Sequence, residues 1–221
     1  MSRSPLIIGS LVLFGAAALL DSNVARAAAD DYSVVPTQFI YCTTCHGVEL
    51  KGDVAVDAPR LNGMEDWYVR SQLEAFKSGR RGTHAQDPIG MEMQPQAAIL
   101  SEEAIDKAAA FVAATPVRGD TIAHTVTGDA ARGATLYASC AACHGADGKG
   151  SKVLGAPGLA GQSDWYLVRQ LDKYAIGARG YAENDTAGQQ MRAAVTVLGS
   201  EQDVADVVAY INTFTENKET P

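Results

Sequence analysis

The pentapeptide Cys42-Thr43-Thr44-Cys45-His46 occurs a second time in this chain, as Cys140-Ala141-Ala142-Cys143-His144. Cys-x-x-Cys-His is the attachment sequence for c-type haem, in which two cysteines bind the porphyrin through thioethers and the adjacent histidine binds the iron. A zinc finger would require two further cysteines or histidines at short spacing, and none follows either copy. The chain contains only these four cysteines. The sequence therefore predicts two haem c groups, attached to Cys42 and Cys45 and to Cys140 and Cys143, with His46 and His144 on the irons.

The two copies belong to an internal repeat with an offset of 98 residues, the separation of Cys42 from Cys140. A repeat of this kind indicates tandem copies of one structural unit. After Leu100 and its counterpart Leu198 the offset becomes 99, because one residue has been inserted before the last segment. The matched pairs include Phe39 with Tyr137, Pro59 with Pro157, Trp67 with Trp165, Tyr68 with Tyr166, Gly79 with Gly177, Arg81 with Arg179 and Met93 with Met191.

Residues 1–29 have the composition of a secretory signal peptide. Arg3 gives a short basic start, an uncharged apolar run extends over residues 6–20, and Ala25-Arg26-Ala27 fits an Ala-x-Ala cleavage site. A retained membrane anchor is the alternative, but the apolar run is shorter than the ~20 residues that a membrane-spanning helix needs. We therefore expect a cleaved signal peptide and export of the remaining chain.

The chain is acidic, with 26 aspartates and glutamates against 18 lysines and arginines and a formal net charge of −8. Removing residues 1–29 removes two arginines and one aspartate, which makes the net charge −9. The acidic excess is spread over both repeats, with −5 in residues 30–118 and −4 in residues 119–221. Such a surface repels nucleic acid and anionic membranes, so we expect neither as a partner.

The exported part, about 190 residues, is long enough for two domains of about 90 residues each. The predicted boundaries are residues 30–114 for the first domain, 115–127 for the linker and 128–221 for the second domain. Domains of this size bury only a modest core, and a haem supplies a large apolar body around which short helices pack. Four cysteines in an exported protein would otherwise indicate disulfides. Here both pairs are used for haem attachment, so no disulfide is expected.

Each repeat has the pattern of short helices separated by loops, without the alternation of a β-strand, and the expected fold class is all-α. The predicted second helices cover residues 66–78 and 164–176, where apolar side chains recur at helical spacing. Gly79 and Gly177 are suited to the left-handed conformation that ends a helix, so they predict where these helices end. Ser101 and Ser200 are suited to the N-cap position, so they predict where the last helix of each repeat begins.

An iron that carries electrons without binding small molecules needs a second axial ligand, and a methionine thioether raises its reduction potential. Met191 is the only methionine in the second repeat. The repeat offset selects Met93 as its counterpart, with Met91 as the competing residue. Both matched methionines lie in polar segments that we interpret as loops, whereas core packing is the alternative for any single methionine. We predict the axial pairs His46–Met93 and His144–Met191.

A haem-ligating imidazole also needs an acceptor for its other ring N–H. Pro59 and Pro157 each lie 13 residues after their histidine, in a loop whose carbonyl would serve, and a simple turn is the alternative. Arg81 and Arg179 either offset the charge of haem propionates or lie in solvent. Two aromatic pairs are expected in the core, at a haem edge or hydrogen-bonded to a propionate, namely Trp67/Trp165 and Tyr68/Tyr166. His84 and His124 are expected at the surface.

The second repeat also carries a known set of motifs, which resemble class I cytochromes c and specifically the dihaem cytochrome c4 family. The resemblance covers about residues 35–112 and 130–214. The first repeat departs from the family pattern at its start, where Val35 replaces a helix-packing glycine. The motifs are Gly133-x-x-Leu136-Tyr137 before Cys140, then Pro157-x-Leu159-Ala160-Gly161-Gln162, Tyr166, Gln170-Leu171, Gly177-x-Arg179 and Met191.

The resemblance implies two tandem class I cytochrome c domains related by a pseudo-twofold axis, with His/Met ligation of both haems. It implies that the carbonyls of Pro59 and Pro157 accept hydrogen bonds from the ligand histidines. The implied activity is single-electron transfer in the periplasm. The expected partners are a quinol-oxidising complex or a dehydrogenase as donor and a terminal oxidase as acceptor, with membrane association only through such partners.

Two alternative functions remain open. The first is a tightly bound electron-transfer subunit of a dehydrogenase or oxidase complex, which an exposed apolar patch beyond the haem edges would favour. The second is a dihaem redox enzyme. A peroxidase needs an open or displaceable iron site, and a thiosulfate-oxidising site uses a cysteine ligand, for which the chain has no fifth cysteine. We therefore expect an electron carrier and not an enzyme.

Overall fold

The structure, a computed structural model, describes residues 35–117 and 122–214. The predicted signal peptide, residues 1–29, and residues 118–121 of the predicted linker lie outside the described residues. Pro36 begins one compact unit that contains both repeats. The contacts between the repeats are therefore contacts within a single body.

The described residues are mostly helical. They contain no β-strand, only two isolated antiparallel bridges, between Asp53 and Ala58 and between Ser151 and Ala156. These bridges lie at matched positions, so they belong to the loop that follows each Cys-x-x-Cys-His sequence. The predicted all-α fold class is confirmed.

The first repeat opens with a short 3-10 turn, Thr37–Phe39, which leads directly into the helix of the first Cys-x-x-Cys-His sequence. A second 3-10 turn lies at Val54–Val56 in the following loop. The α-helices of this repeat are α1 (Ile40–His46), α2 (Asp66–Lys77), α3 (Pro88–Ala98) and α4 (Glu102–Ala114).

The second repeat begins with a full α-helix, whereas the matched described residues of the first repeat form only the 3-10 turn Thr37–Phe39. Its own 3-10 turns lie at Lys152–Leu154 and Val195–Val197. The α-helices of this repeat are α5 (Ala130–Tyr137), α6 (Ala141–His144), α7 (Asp164–Ala175), α8 (Thr186–Ala194) and α9 (Glu201–Asn212).

The ends of the helices follow the signals in the sequence. Gly79 and Gly177, just beyond α2 and α7, adopt φ values of 73° and 75°, in the left-handed region that a side chain disfavours. Ser101 and Ser200 cap α4 and α9, because each hydroxyl accepts a hydrogen bond from the N–H three residues later, at 3.1 Å and 3.2 Å. These caps satisfy backbone groups that a helix leaves without partners.

Each repeat packs its last helix, α4 or α9, against the helix that follows the haem-attachment loop, α2 or α7. In the first repeat Val112 of α4 contacts the buried Val69 of α2. In the second repeat Val208 of α9 packs with Leu167 of α7 and Tyr137 of α5. Burying one such side chain contributes about 1.5–3 kcal/mol, so the apolar faces predicted for these helices account for much of the core.

The closest helix crossing in the second repeat occurs where α5 meets α9 at Gly133. A Cβ atom at this position would lie 1.9 Å from the carbonyl oxygen of Asp206, so only glycine permits this approach. The matched residue of the first repeat is Val35. There the ring of Phe39 stacks on that of Phe111, with centroids 5.0 Å apart, and the matched rings of Tyr137 and Tyr210 in the second repeat lie 5.5 Å apart. Both repeats thus share an aromatic contact, and the second repeat adds close backbone packing at Gly133.

The methionine-bearing segments are helices, and the interpretation of both as loops was wrong. Met93 lies in α3 and Met191 lies in α8. Each helix starts at an aspartate N-cap, Asp87 or Asp185, whose carboxylate accepts a hydrogen bond from a glycine N–H at 2.8 Å or 3.1 Å. Capping offsets the poor helix propensity of the glycine and polar residues that follow. The aspartates were the helix signal in the sequence.

We predict that Gly133→Ala destabilises the second repeat, because the added methyl group would overlap the backbone of α9. Overpacking of this kind costs about 1–3 kcal/mol. Denaturant unfolding of the haem-bearing protein, followed by circular dichroism, should show a lower midpoint than the wild type. Gly199→Ala is the matched control, because its Cβ would meet its nearest neighbour at 3.6 Å, an ordinary contact. Equal midpoints for the two variants would contradict the close crossing.

Candidate haem sites

Both histidines of the Cys-x-x-Cys-His sequences are buried and hydrogen-bonded to a proline carbonyl. His46 ends α1 and His144 ends α6. The Nδ1 atoms of these histidines lie 2.8 Å from the carbonyl oxygens of Pro59 and Pro157, respectively. Because a carbonyl only accepts, Nδ1 carries the hydrogen and Nε2 is left with the lone pair that binds a metal. The expected role of the two proline carbonyls is confirmed.

The loop after each histidine brings the proline back to the ring. In the first repeat the N–H of Gly52 donates to the carbonyl of His46 at 2.9 Å, which turns the chain soon after α1. The bridge between Asp53 and Ala58 then reverses the chain. Ala58 immediately precedes Pro59, so this reversal carries the proline carbonyl to the imidazole. The second repeat makes the same contacts at its matched residues.

Burial lowers the pKa of His46 and of His144, although the hydrogen bond to the proline carbonyl partly opposes this effect. Burial acts in this direction because the charged imidazolium loses more hydration than the neutral ring. The neutral ring is the form that binds metal ions. Both imidazoles are thus held in the tautomer and the protonation state that iron ligation requires.

A cavity of about 310 Å³ lies beside the second Cys-x-x-Cys-His sequence. Its walls include Cys140, Cys143, His144 and Met191, so four predicted site residues of the second repeat meet at one space. Apolar side chains from α7, α8 and α9 form much of the remaining wall. One imidazole, one thioether sulfur and two thiols around an apolar space are the donor set that fits a haem c group.

The predicted residues of the first repeat have the same helical placement. Cys42 and Cys45 lie on α1 with exposed side chains. Met93 on α3 is partly buried, whereas the competing Met91 is 48 % exposed. An axial sulfur has to point into the protein interior, so burial favours Met93 over Met91. The axial roles of the two histidines and of the two matched methionines stay predictions.

Arg81 and Arg179 are buried between the repeats, and the alternative that they lie in solvent is wrong. Within its own repeat, each arginine donates through Nη1 to a glutamine Oε1, Arg81 to Gln72 at 2.7 Å and Arg179 to Gln170 at 2.8 Å. Across the interface, each donates through Nη2 to the other glutamine at 3.1 Å. These four residues, the arginine–glutamine cluster, form a closed ring of hydrogen bonds.

The arginine–glutamine cluster has the symmetry of the repeat. Its two arginines match each other under the 98-residue offset, and so do its two glutamines. Thr83 and Tyr181 are also matched positions, and their hydroxyl oxygens lie 2.7 Å apart. Reciprocal contacts of this kind are what a twofold axis generates, in agreement with the expected pseudo-twofold relation. Gln170 was quoted in the sequence only as part of a family motif, and neither glutamine was predicted to bind an arginine, although the offset that pairs Gln72 with Gln170 is a signal for this role.

The arginine–glutamine cluster also carries uncompensated positive charge. Among the described residues its hydrogen-bond acceptors are uncharged. They are the amide oxygens and the phenol oxygens of Tyr68 and Tyr166, of which that of Tyr166 lies 3.2 Å from Nη2 of Arg81. Nε of Arg81 is buried without a hydrogen-bond partner among the described residues. A buried cation is costly unless an anion is near it. The interface therefore fits an anionic group, and propionates are the anionic groups that a haem c brings.

Other contacts between the repeats are not duplicated. Nζ of Lys173 lies 2.5 Å from Oδ1 of the fully buried Asp87, but the residue that matches Lys173 is Ala75. Oε1 of Glu65 accepts a hydrogen bond from the N–H of Gly158 at 3.2 Å. The two haem sites thus have the same local geometry, but the contacts that each receives from the other repeat differ.

The family model described as Cytochrome c matches residues 37–116 and 130–215 of this chain. The chain belongs to the cytochrome c family. This cytochrome is 39 % identical over 198 residues to a thiosulfate dehydrogenase electron acceptor from Stutzerimonas stutzeri, an alignment that covers 82 % of the chain and 86 % of the relative.

The fold of this cytochrome is similar to two solved structures. The crystal structure of reduced recombinant cytochrome c4 from Pseudomonas stutzeri matches it with a TM-score of 0.62 at 26 % identity, over 79 % of this chain and 93 % of that chain. A thiosulfate dehydrogenase from Marichromatium purpuratum matches with a TM-score of 0.61 at 29 % identity, over 78 % of this chain and 36 % of that chain.

These findings confirm two tandem cytochrome c domains of the dihaem cytochrome c4 type. Each matched segment contains one Cys-x-x-Cys-His sequence, so the cofactors are two covalently bound haem c groups. Electron transfer of the cytochrome c4 kind is the activity that goes with this assignment. None of the helices within residues 35–117 and 122–214 combines the length and the hydropathy of a membrane span.

We predict that Lys173→Met destabilises this cytochrome, because it leaves the carboxylate of Asp87 buried without its cation. Breaking a buried pair costs about 3 kcal/mol or more, which should appear as a lower midpoint in denaturant unfolding of the holoprotein. Adding Asp87→Asn should recover most of the loss, because asparagine removes the charge and still caps α3. A double variant no more stable than Lys173→Met would show that the ion pair is not the cause.

Proposed function

We propose that this chain is a periplasmic electron carrier that receives single electrons from a dehydrogenase or a quinol-oxidising complex and passes them to a terminal oxidase. The observation that carries the proposal is the joining of two haem sites in one compact unit through a buried, hydrogen-bonded interface. Two sites at a fixed separation let an electron enter at one and leave at the other. The composition of residues 1–29 supports export.

We assign His46 and Met93 to the iron of the first repeat, and His144 and Met191 to the iron of the second. When bound, each haem supplies the redox chemistry by alternating between Fe(III) and Fe(II), and the methionine sulfur favours the reduced state. The cysteines fix the porphyrin to the chain, and the two proline carbonyls orient the imidazoles. With a haem bound, the two methionines would keep small molecules from the iron, which is what separates a carrier from an oxidase or peroxidase.

We predict that Met191→Ala and Met93→Ala each remove about half of the weak near-infrared sulfur-to-iron band of the oxidised protein, because each removes one of two sulfur ligands. Absorption spectra of the purified oxidised variants give the measurement. Met91→Ala is the matched control, since it removes a methionine from the same helix, and its band should equal that of the wild type. Loss of half the band in Met91→Ala, with none lost in Met93→Ala, would reverse the assignment in the first repeat.

The loop beside the cavity of the second repeat offers a surface for docking a redox partner. Leu154 lines the cavity and is half exposed, and the adjacent Val153 is 95 % exposed. Lys149 and Lys152 are exposed in the same loop. These four residues are the rim patch. An apolar centre beside charged side chains is typical of a transient protein interface, and here it lies at the edge of the haem site.

The matched loop of the first repeat has a net negative charge. Lys51 stands at the position of Lys149, and each of these two lysines is paired with an acidic residue of its own loop, Glu49 or Asp147, so Lys152, which matches Val54, makes the difference on the positive side. In the first repeat Asp53 and Asp57 flank Val54 and Val56, and Asp57 is partly buried by an ion pair with Arg169 of the second repeat. The chain as a whole has a net charge of −8, so the two lysines of the rim patch stand against an acidic background. They fit a partner with acidic groups around its own cofactor, because complementary charge steers association.

A thiosulfate dehydrogenase is the electron donor that we favour. The relative from Stutzerimonas stutzeri is named as the electron acceptor of such an enzyme. This chain lacks the means to oxidise thiosulfate through a cysteine ligand, because all four cysteines belong to the two attachment sequences. The second candidate is a tightly bound subunit, since the similar region of the Marichromatium purpuratum enzyme is 36 % of a longer chain.

Reduction of the oxidised holoprotein by a thiosulfate dehydrogenase supplied with thiosulfate tests this proposal. We predict rapid bimolecular reduction, which Lys152→Glu slows about tenfold at low ionic strength, with a smaller difference at higher salt. Lys107→Glu on α4 is the matched control, because it makes the same charge change outside the rim patch and should have little effect. Stopped-flow absorption of the haem bands gives the rate constants.

Three outcomes would change the proposal. No reduction by the enzyme would exclude it as the donor. Equal slowing of Lys152→Glu and Lys107→Glu would mean that only net charge matters, and would remove the rim patch as the docking surface. Co-elution of the native protein with a dehydrogenase or oxidase in constant stoichiometry through gel filtration would replace the free carrier by the bound subunit.

A further inference from the structure

One peptide bond in the second repeat makes two hydrogen bonds, one within that repeat and one to the other repeat. Its carbonyl, that of Pro157, accepts from Nδ1 of His144 at 2.8 Å. Its N–H, that of Gly158, donates to Oε1 of Glu65 at 3.2 Å. Glu65 belongs to the first repeat, where it immediately precedes α2. A carboxylate of one repeat therefore lies one peptide bond away from the histidine of the other.

The residues on both sides of this contact, Gly158 and Glu65, differ from those at the matched positions of the other repeat. A Cβ atom at Gly158 would lie 2.8 Å from Oε1 of Glu65, so a side chain at this position would push the carboxylate away from the N–H. The side chain of Glu65 makes no capping hydrogen bond to α2, which leaves it available to the other repeat. At the matched positions stand Ser163, which has no charge, and Arg60, which has a long side chain. The carboxylate contact is therefore specific to the second histidine.

The two hydrogen bonds of this peptide strengthen each other. An anion that accepts from the N–H pushes electron density through the amide onto the carbonyl oxygen, which becomes a better acceptor for Nδ1–H of His144. Successive hydrogen bonds strengthen one another by perhaps ~10–30 % in such chains, and bonds to an ionised group are stronger than neutral ones. A stronger bond at Nδ1 makes Nε2 a more basic ligand. Partial burial of Glu65 reduces the screening of its charge by solvent.

We propose that Glu65 is a positioning residue that tunes the haem of the second repeat through the Pro157–Gly158 peptide. A more basic His144 stabilises the oxidised iron, so Glu65 lowers the reduction potential of the second haem and leaves that of the first unchanged. The inference rests on the axial role proposed for His144. The difference between the reduction potentials of the two haems then depends on the interface, because the first repeat supplies the carboxylate that tunes the second haem.

The first test is Glu65→Gln in the full-length dihaem protein. We expect the reduction potential of the second haem to rise, so that the ratio of electrons on the second haem to those on the first increases about threefold to tenfold, where tenfold corresponds to 59 mV for a one-electron couple. Spectroelectrochemical titration measures both potentials. In the reduced, diamagnetic protein, the NMR resonance of His144 Nδ1–H should move upfield because its hydrogen bond weakens, and that of His46 should not move.

Two further variants distinguish an effect transmitted through the Pro157–Gly158 peptide from the effect of removing a negative charge. Gly158→Ala keeps every charge and the N–H but pushes the flexible end of Glu65 away, so it should shift the potential and the His144 resonance in the same direction as Glu65→Gln. Asp66→Asn removes a neighbouring exposed carboxylate that contacts its own helix N-terminus, and it should leave the His144 resonance in place.

The inference is overturned if Glu65→Gln leaves the potential of the second haem unchanged, or if Asp66→Asn has the same effect as Glu65→Gln on both the potential and the resonance. It is also overturned if Gly158→Ala behaves as the wild type. In each of these cases an intact sulfur-to-iron band and two one-electron titrations would keep the proposed carrier function. Loss of His144 as a ligand would instead appear as an altered spectrum in the wild type itself.

Discussion

The hydrogen bond from each buried imidazole to a proline carbonyl 13 residues later is the constraint on which each repeat depends. It requires a helix that ends at the histidine, a tight reversal that brings the chain back, and a proline that keeps the returning backbone stiff. The small bridge in each loop exists to make this return possible. The remaining helices then surround the histidine and bury it, which keeps the ring neutral. One polar contact thus fixes the tautomer and the orientation of a metal ligand, while burial keeps its ring neutral.

The sequence predicted those features that depend on local signals or on the repeat. Helix α2 was expected from 66 to 78 and runs from Asp66 to Lys77, because its apolar stripe and closing glycine are local. Helices α3 and α8 were missed, because their composition is unfavourable and the deciding interaction is a single aspartate cap in each. The partners of the arginines could not be predicted from periodicity, since they depend on how two folded repeats are oriented. The repeat offset selected Met93 over Met91 in the sequence, and the burial of Met93 favours the same residue.

The interface combines a symmetric centre with an asymmetric periphery. Around the pseudo-twofold axis, two arginines share two glutamines in a closed ring of hydrogen bonds. Because the acceptors in this ring are neutral, the positive charge of the arginines is left to interact with the haem propionates. Away from the axis, the contacts of Lys173 and Glu65 occur once only. Buried ion pairs and directed hydrogen bonds specify geometry more than they add stability. The centre therefore sets how the repeats dock, and the periphery makes the two haem environments different.

The one-sided contacts also bear on how such a tandem protein evolves. A duplicated domain begins as two interchangeable copies, and either copy can then replace the other. Here a second copy of the first repeat would put Ala75 where Lys173 stands, and a second copy of the second repeat would put Ser163 where Glu65 stands. Each replacement would leave a partner group without its contact. The repeats are thus complementary and no longer interchangeable, because each supplies a contact that a copy of the other would lack.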